Sequence, residues 1–183
     1  MNELGIPEIE RTAFVLIDVQ ERLTPVLFDA ETVIRNANIL VKSAELMGIP
    51  LIVSEQYPKG LGPTSSRIPL PSGRRLVDKL TCSCYGCDDF VREMRAVNRS
   101  TLVLFGAETH VCILQTALDA KKLGLEVHVV ADAVSSRTAE NKALGLERLR
   151  QSGIFVVSTE MILFQLIKRA GTDLFKQVSA LVK

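Results

Sequence analysis

The sequence predicts a three-layer α/β/α sandwich on a mainly parallel six-stranded sheet. Two observations carry that reading. Short runs of branched apolar residues recur along the 183-residue chain, and longer segments with helical spacing lie between them. Strands buried on both faces read as continuous apolarity rather than alternation. Strands alternating with helices imply right-handed crossovers and therefore a parallel sheet with helices on both faces.

The strand candidates, in order, are TAFVLID (12–18), IPLIVSE (49–55), a run around RRLVDKL (74–80), STLVLFG (100–106), LEVHVVAD (125–132) and GIFVVST (153–159). Between the first two lies ETVIRNANILVKSAELMG, where Val33, Ile34, Ala37, Leu40, Val41, Ala44 and Leu46 make one apolar stripe that Gly48 ends. CDDFVREMRAVN, VCILQTALDAKKLG and RTAENKALGLERLRQSG read as three more helices, and the last two stop at Gly124 and Gly153. The segment QYPKGLGPTSSRIPLPSG, from Gln56 to Gly73, carries four prolines and three glycines. A structureless stretch of that length in a compact domain is usually functional, and a lid or a subunit contact is expected there.

No repeat, low-complexity tract or linker interrupts the chain, so residues 1–183 are read as one domain, long enough to bury a core without staples. The composition is 47% hydrophobic and 23% charged, which excludes a disordered or fibrous chain. A formal charge of +1 supplies no field to gather a polyanion, so nucleic acid is not expected as a partner. No signal-peptide pattern opens the sequence and no apolar run is long enough to span a bilayer, so a cytoplasmic protein without a membrane partner is expected. Four cysteines, Cys82, Cys84, Cys87 and Cys112, fit a reducing compartment.

In open parallel sheets ligands bind beyond the carboxyl ends of the strands. That rule converts the fold into residues: the first strand ends at Asp18, the second at Glu55, the third at Lys79, and the central one leads into GAETHVC. An acid, a base and a thiol therefore converge on one rim. Taken alone, Asp18 reads as a solvated carboxylate and Lys79 as a surface charge. Pairing would offset the desolvation of both and place a positive charge near a thiol.

A helix expected to begin near His110 or Val111 would offer Cys112 free N–H groups and a positive dipole end. Both favour thiolate, lower its pKa and suit an oxyanion. The bland alternative is a small buried hydrophobe. His110 sits two residues away and is poorly placed to face the thiol, and His128 falls inside a buried strand. Cys84 and Cys87 form a CxxC before a helix, the pattern of a thiol redox pair. A second ligand pair for zinc is absent from the sequence.

These motifs together resemble the isochorismatase-like cysteine hydrolases: FVLIDVQ with Asp18, DKLTCS with Lys79, GAETHVCILQTALDA with Cys112, then GLEVHVVADAVSS. The resemblance runs from about Arg11 to Ala170. It implies a catalytic triad of Asp18, Lys79 and Cys112, a cis peptide at Ala107–Glu108, and an oxyanion hole from the N–H groups of Glu108 and Cys112. It implies acyl transfer through a Cys112 thioester on a small amide or related carbonyl compound, with Gln20, Glu55, Tyr57 and Cys82 at the substrate pocket. Nicotinamidases of that family bind a metal through an Asp and two His. The matching region here, SEQYPKGLGPT, has no histidine, so neither a metal nor any other cofactor is expected. EQYPKGLG resembles the isochorismatase domain-containing subgroup, and family habit implies a homo-oligomer. Two other classes stay open: a redox protein using Cys84 and Cys87, and a catalytically silent binding or assembly module of the same fold.

Overall fold

The computed structural model describes residues 4–183, so of the expected 1–183 span residues 1–3 lie outside the described residues. In chain order it runs β1 (Thr12–Ile17), α1 (Ala30–Met47), β2 (Leu51–Gln56), α2 (Pro58–Leu61), β3 (Arg75–Lys79), α3 (Asp88–Val97), β4 (Thr101–Ala107), α4 (Leu114–Lys122), β5 (Glu126–Ser135), α5 (Ala139–Gln151), β6 (Phe155–Val157), α6 (Thr159–Ile167) and α7 (Asp173–Leu181). The six strands form one sheet in the order β3-β2-β1-β4-β5-β6, with every pair parallel.

Alternation along the central strands explains why their sequence does not alternate in polarity. Phe14, Leu16, Val103 and Phe105 enter a core shared with Val33, Ala37, Leu40 and Val41 of α1 and Ile162 and Leu163 of α6. Val15, Ile17, Leu102 and Leu104 enter the opposite core with Phe90 and Met94 of α3, Ala117 and Ala120 of α4 and Leu149 of α5. Successive side chains leave a strand on opposite faces, so an apolar residue is needed at every position.

Some expected boundaries move. The apolar face of α1 includes Met47 and leaves Leu46 exposed. Two residues beyond Ala44 is about 200° round the helix, whereas three returns to the same face. Gly48 closes α1 with φ 65°, as its position predicts. β5 continues past the expected Asp132 to Ser135 through a shift in register against β4 between Leu104 and Gly106. β6 shrinks to three residues. The sequence reading assigned no helix to α6, whose run TEMILFQLI packs its apolar side into the α1 core. α7 turns Val178 into the same core and sets the Phe175 ring at a tilt against Phe164.

The proline-rich segment is fastened down rather than free. Gln20 bridges Thr64 as an isolated strand pair, and Thr64 donates its N–H and hydroxyl to Glu55 Oε1 at 2.6 and 2.7 Å. Arg22 donates to the Gly60 carbonyl, Ser66 N–H donates to Glu21, and Arg67 forks onto Glu31. The expected lid is thus a strap, including the short helix α2, bolted across the carboxyl rim of the sheet. Among the described residues no helix is long and apolar enough to cross a membrane.

Candidate active site

The strand order reverses between β1 and β4: from β1 the chain builds outward through β2 and β3, then returns to place β4 on the other side of β1. This switch point is where an open α/β sheet splays its loops apart and leaves a crevice. Asp18 follows β1 and the Cys112 turn follows β4, so both enter that crevice.

Asp18 has φ 52°, a left-handed conformation that short polar side chains tolerate. Its N–H donates to the Ser54 carbonyl at 3.1 Å, continuing the β1–β2 ladder for one more bond. Gly106, the last residue but one of β4, has φ 121°, and a Cβ there would lie 2.0 Å from the Ile17 carbonyl oxygen. Only glycine lets the two central strands approach so closely just before the site.

Beyond the cis peptide Ala107–Glu108 the chain makes a wide turn, Thr109–Ile113, before α4 begins at Leu114. Val111 N–H and Ile113 N–H both donate to the Glu108 carbonyl, at 3.1 and 3.2 Å. The expected helix start at His110 or Val111 is therefore corrected to a π-type turn. Such turns recur at functional sites because the extra residue re-aims a side chain. α5 packs directly on this turn: a Cβ on Gly145 would stand 3.0 Å from the His110 nitrogen.

The three expected residues meet. Lys79 Nζ donates to Asp18 Oδ2 at 2.7 Å and lies 3.6 Å from Cys112 Sγ. All three are buried, with relative exposures of 1% for Asp18, 2% for Lys79 and 8% for Cys112. Lys79 is further surrounded by acceptors: Gln56 Oε1 at 2.5 Å and the carbonyls of Thr81 and Cys82 at 3.2 and 3.4 Å. Ser54 Oγ donates to the other Asp18 oxygen at 2.8 Å.

Burial sets the electrostatics. Desolvation raises the Asp18 carboxyl above the usual carboxylate range, although the Lys79 ammonium and the bonds from Lys79, Ser54 and Cys112 oppose it. Burial alone would lower Lys79, but the charge of Asp18, joined by those of Cys112 and Cys84 when they ionise, outweighs it and holds the ammonium above the usual lysine range. Cys112 runs against the sequence expectation. Burial first, then the Asp18 charge, push its thiol up to about 12, with Lys79 pulling the other way. The expected lowering at a helix terminus is outweighed because the thiol is both desolvated and beside a carboxylate. The resting group is a thiol with its base already adjacent.

The expected pocket residues divide. Gln20 is fully buried and donates both side-chain amide hydrogens to the carbonyls of Gln56 and Gly62, at 3.0 and 2.6 Å, while its Oε1 accepts from Gln56 N–H at 2.8 Å. Glu55 holds Thr64. Both therefore fasten the strap. Tyr57, half exposed, lines a cavity of about 300 Å³ with Pro58, Lys59, Asp78, Lys79 and Leu80. Cys82 is exposed beside the site, its carbonyl near the ammonium. Glu108 Oε1 accepts from the backbone N–H and Nε of Arg137. His110 Nδ1 lies 2.9 Å from Ser136 Oγ, and His128 Nε2 lies 3.0 Å from Glu126 Oε1, so both imidazoles have partners away from the thiol.

Sequence reasoning missed Ser54 and Gln56. The signal was a serine inside the apolar run LIVS and a glutamine two positions on, polar residues on one face of a strand that the sheet otherwise buries. No group of three or more His, Cys, Asp or Glu among the described residues has the arrangement of a metal site.

A doubly wound parallel sheet with a buried Cys, Lys and Asp at its switch point defines the class: an α/β protein with a thiol-centred site. The Isochorismatase domain model matches residues 12–161, and the chain belongs to that family. Isochorismatase domain-containing protein 1 of Salmo salar is 40% identical over 174 residues, covering 94% of this chain but only 61% of that relative, so the chain spans less than two thirds of its length. The secreted isochorismatase effector Isc1 of Phytophthora sojae is 40% identical over 175 residues, covering 91% of this chain and 81% of its own. Among solved structures, the MAR1 ribonuclease of Caenorhabditis elegans superposes with a TM-score of 0.91 at 30% identity, over 96% of this chain and 91% of that one. The YcaC protein of Escherichia coli, an octameric hydrolase of unknown specificity, shares the fold with a TM-score of 0.88 at 22% identity, over 96% and 88% of the two chains.

Proposed function

We propose that the protein is a metal-independent cysteine hydrolase acting on a small amide or related carbonyl compound, with Asp18, Lys79 and Cys112 as its catalytic residues. One observation supports this above the others: a single buried ammonium contacts both the carboxylate and the sulfur, at 2.7 and 3.6 Å. Asp18 takes the thiol proton as Sγ forms its bond to the substrate carbonyl carbon. The carbonyl oxygen becomes an oxyanion held by the N–H groups of Glu108 and Cys112. The C–N bond breaks, Asp18 returns the proton to the leaving amine, and a thioester remains. Water then attacks the thioester, giving its proton to Asp18, and the acid leaves as the thiol re-forms. A carboxyl raised by burial is a better base, and a thiolate from a weakly acidic thiol is a better nucleophile, so both shifts suit transfer on demand. Lys79 keeps its charge throughout and offsets whichever partner is negative. Tyr57 and Cys82 border the substrate, and Gln20 and Glu55 support the strap beside it.

The thiol redox alternative is disfavoured by the same geometry. Cys84 is fully buried, its thiol pushed up to about 11 by desolvation, and the Cys87 sulfur is directed at the Asp78 carbonyl at 3.5 Å. A redox pair needs an accessible, acidified thiol. The relative from Phytophthora is a secreted protein; for this chain the cysteine usage supports the cytoplasm. The octameric state of the Escherichia coli protein supports a homo-oligomer.

The reading is tested by screening small amides, esters and RNA oligomers for turnover with Cys112→Ala as control. Amide or ester turnover that falls about a thousandfold or more in the variant supports it. Turnover confined to RNA, or amide turnover equal in both proteins, refutes it. Silence across the panel favours the binding-module alternative.

A further inference from the structure

β2 supplies none of the three proposed catalytic residues, yet it reaches both charged members. Ser54 and Gln56 are alternate residues of β2, so they leave the sheet on the same face. Ser54 Oγ donates to Asp18 Oδ1 at 2.8 Å, and Gln56 Oε1 accepts from Lys79 Nζ at 2.5 Å. With the Lys79 bond to Oδ2 at 2.7 Å, these contacts form a closed chain: hydroxyl to carboxylate, carboxylate to ammonium, ammonium to amide oxygen.

Each clamp is itself fixed. Ser54 is fully buried, and its carbonyl takes the Asp18 N–H at 3.1 Å. The Gln56 side-chain amide donates to the Leu80 carbonyl at 3.0 Å, and its backbone N–H donates to Gln20 Oε1 at 2.8 Å. Gln56 and Lys79 are also direct register partners across the β2–β3 pair. The same strand end thus ties the ion pair to the strap through Gln20.

We propose that Ser54 and Gln56 are positioning residues, one for each charge of the pair, and that they separately hold Asp18 ionised and Lys79 protonated beside Cys112. This rests on the hydrolase reading for its catalytic meaning but not for its physical test. The charged or titratable groups facing Asp18 are Lys79 from β3, Cys112 from the turn after β4 and Cys84 from the turn before α3. Those facing Lys79 are Asp18, Cys112 and Cys84. Ser54 and Gln56 do not titrate, so replacing them changes hydrogen bonds without adding or removing a charge.

A hydroxyl bonded to a carboxylate favours the ionised form, so Ser54→Ala should move Asp18 titration to higher pH, by about one unit for a charge-assisted bond. An amide oxygen accepting from an ammonium favours the protonated form, so Gln56→Leu should move Lys79 titration lower by a similar amount. The experiment is a pH titration by NMR of carboxyl-labelled aspartate and side-chain-labelled lysine in the whole chain. It is paired with the pH profile of iodoacetamide alkylation at Cys112, resolved by peptide mass spectrometry. The expected result is that Ser54→Ala moves only the Asp18 midpoint and the acid limb of alkylation, Gln56→Leu moves only the Lys79 midpoint and the alkaline limb, and Ser54→Thr restores the wild-type midpoint. Unmoved midpoints in folded variants overturn the proposal, as does an equal shift in Ser54→Ala and Ser54→Thr. Midpoints that move as expected while Cys112 alkylation stays flat with pH keep the clamp and sink the hydrolase reading instead.

Discussion

At the residue scale the decisive feature is a buried ion pair beside a thiol. Taking two charges out of water costs several kcal/mol each, and their attraction offsets this only while both are present. Lys79→Met should therefore destabilise the fold by about 3–5 kcal/mol in chemical denaturation. Asp18→Asn combined with Lys79→Met should recover part of that loss, because no uncompensated charge remains. Additive losses in the double variant would mean that the two do not act as a pair. The meeting of Asp18, Lys79 and Cys112 was legible in the sequence: the first two end strand segments, the third follows the central strand by a short turn, and strand ends of a parallel sheet share one rim. The thiol's acidity was not. It depends on how deeply Cys112 is covered and on the direction of the Asp18 carboxylate, and neither is encoded in a helix-start pattern. Ser54 and Gln56 showed only as polar residues in an apolar strand, and their partners were hidden for a related reason, since a hydrogen bond across strands names no partner in the local sequence.

At the scale of elements, the close contact of β1 and β4 is held open to the site by one glycine. Gly106→Ala should cost about 3 kcal/mol or more, since both the positive φ and the Ile17 carbonyl oppose a side chain. Thermal denaturation checks it; a variant as stable as the parent would show that the strands can separate freely. β5 carries a different sensitivity. His128 is buried against Glu126 and stacked on Phe155, and desolvation lowers its pKa although Glu126 opposes this. The unfolded chain, near the ordinary value of about 6.5, then binds the proton more readily than the folded one. The stability from keeping this imidazole neutral is full above that value and is lost as pH falls below it toward the lowered folded value. Denaturation at pH 7.5 and pH 5 should show a larger loss in wild type than in His128→Leu, and an equal loss would remove this group from the account. The strands and amphipathic helices were readable because periodicity records burial. The strap read as a structureless lid or subunit contact because its anchors, Gln20, Glu55 and Glu21, lie in the sequence before it and look like ordinary polar residues.

For the whole molecule, the fold class followed from alternation of strand and helix, and strand order supplied what the sequence could not: the reversal that makes the crevice. β3 ends the sheet as an edge strand, with Leu76 and the neighbouring Leu80 exposed. An uncovered apolar edge favours pairing with a further chain. Sedimentation velocity should show a homo-oligomer that Leu80→Arg weakens, and a monomeric wild type at micromolar concentration would contradict this.

The most direct test of the central claim is the alkylation rate of Cys112 at pH 7.5 in wild type and in Asp18→Asn, both confirmed folded. As a mere negative neighbour, Asp18 raises the thiol pKa, and neutralising it should speed the reaction. As the base that removes the thiol proton, it drives the reaction, and losing it should slow Cys112 alkylation by about tenfold or more. A slower variant is the result predicted here; a faster one would contradict it.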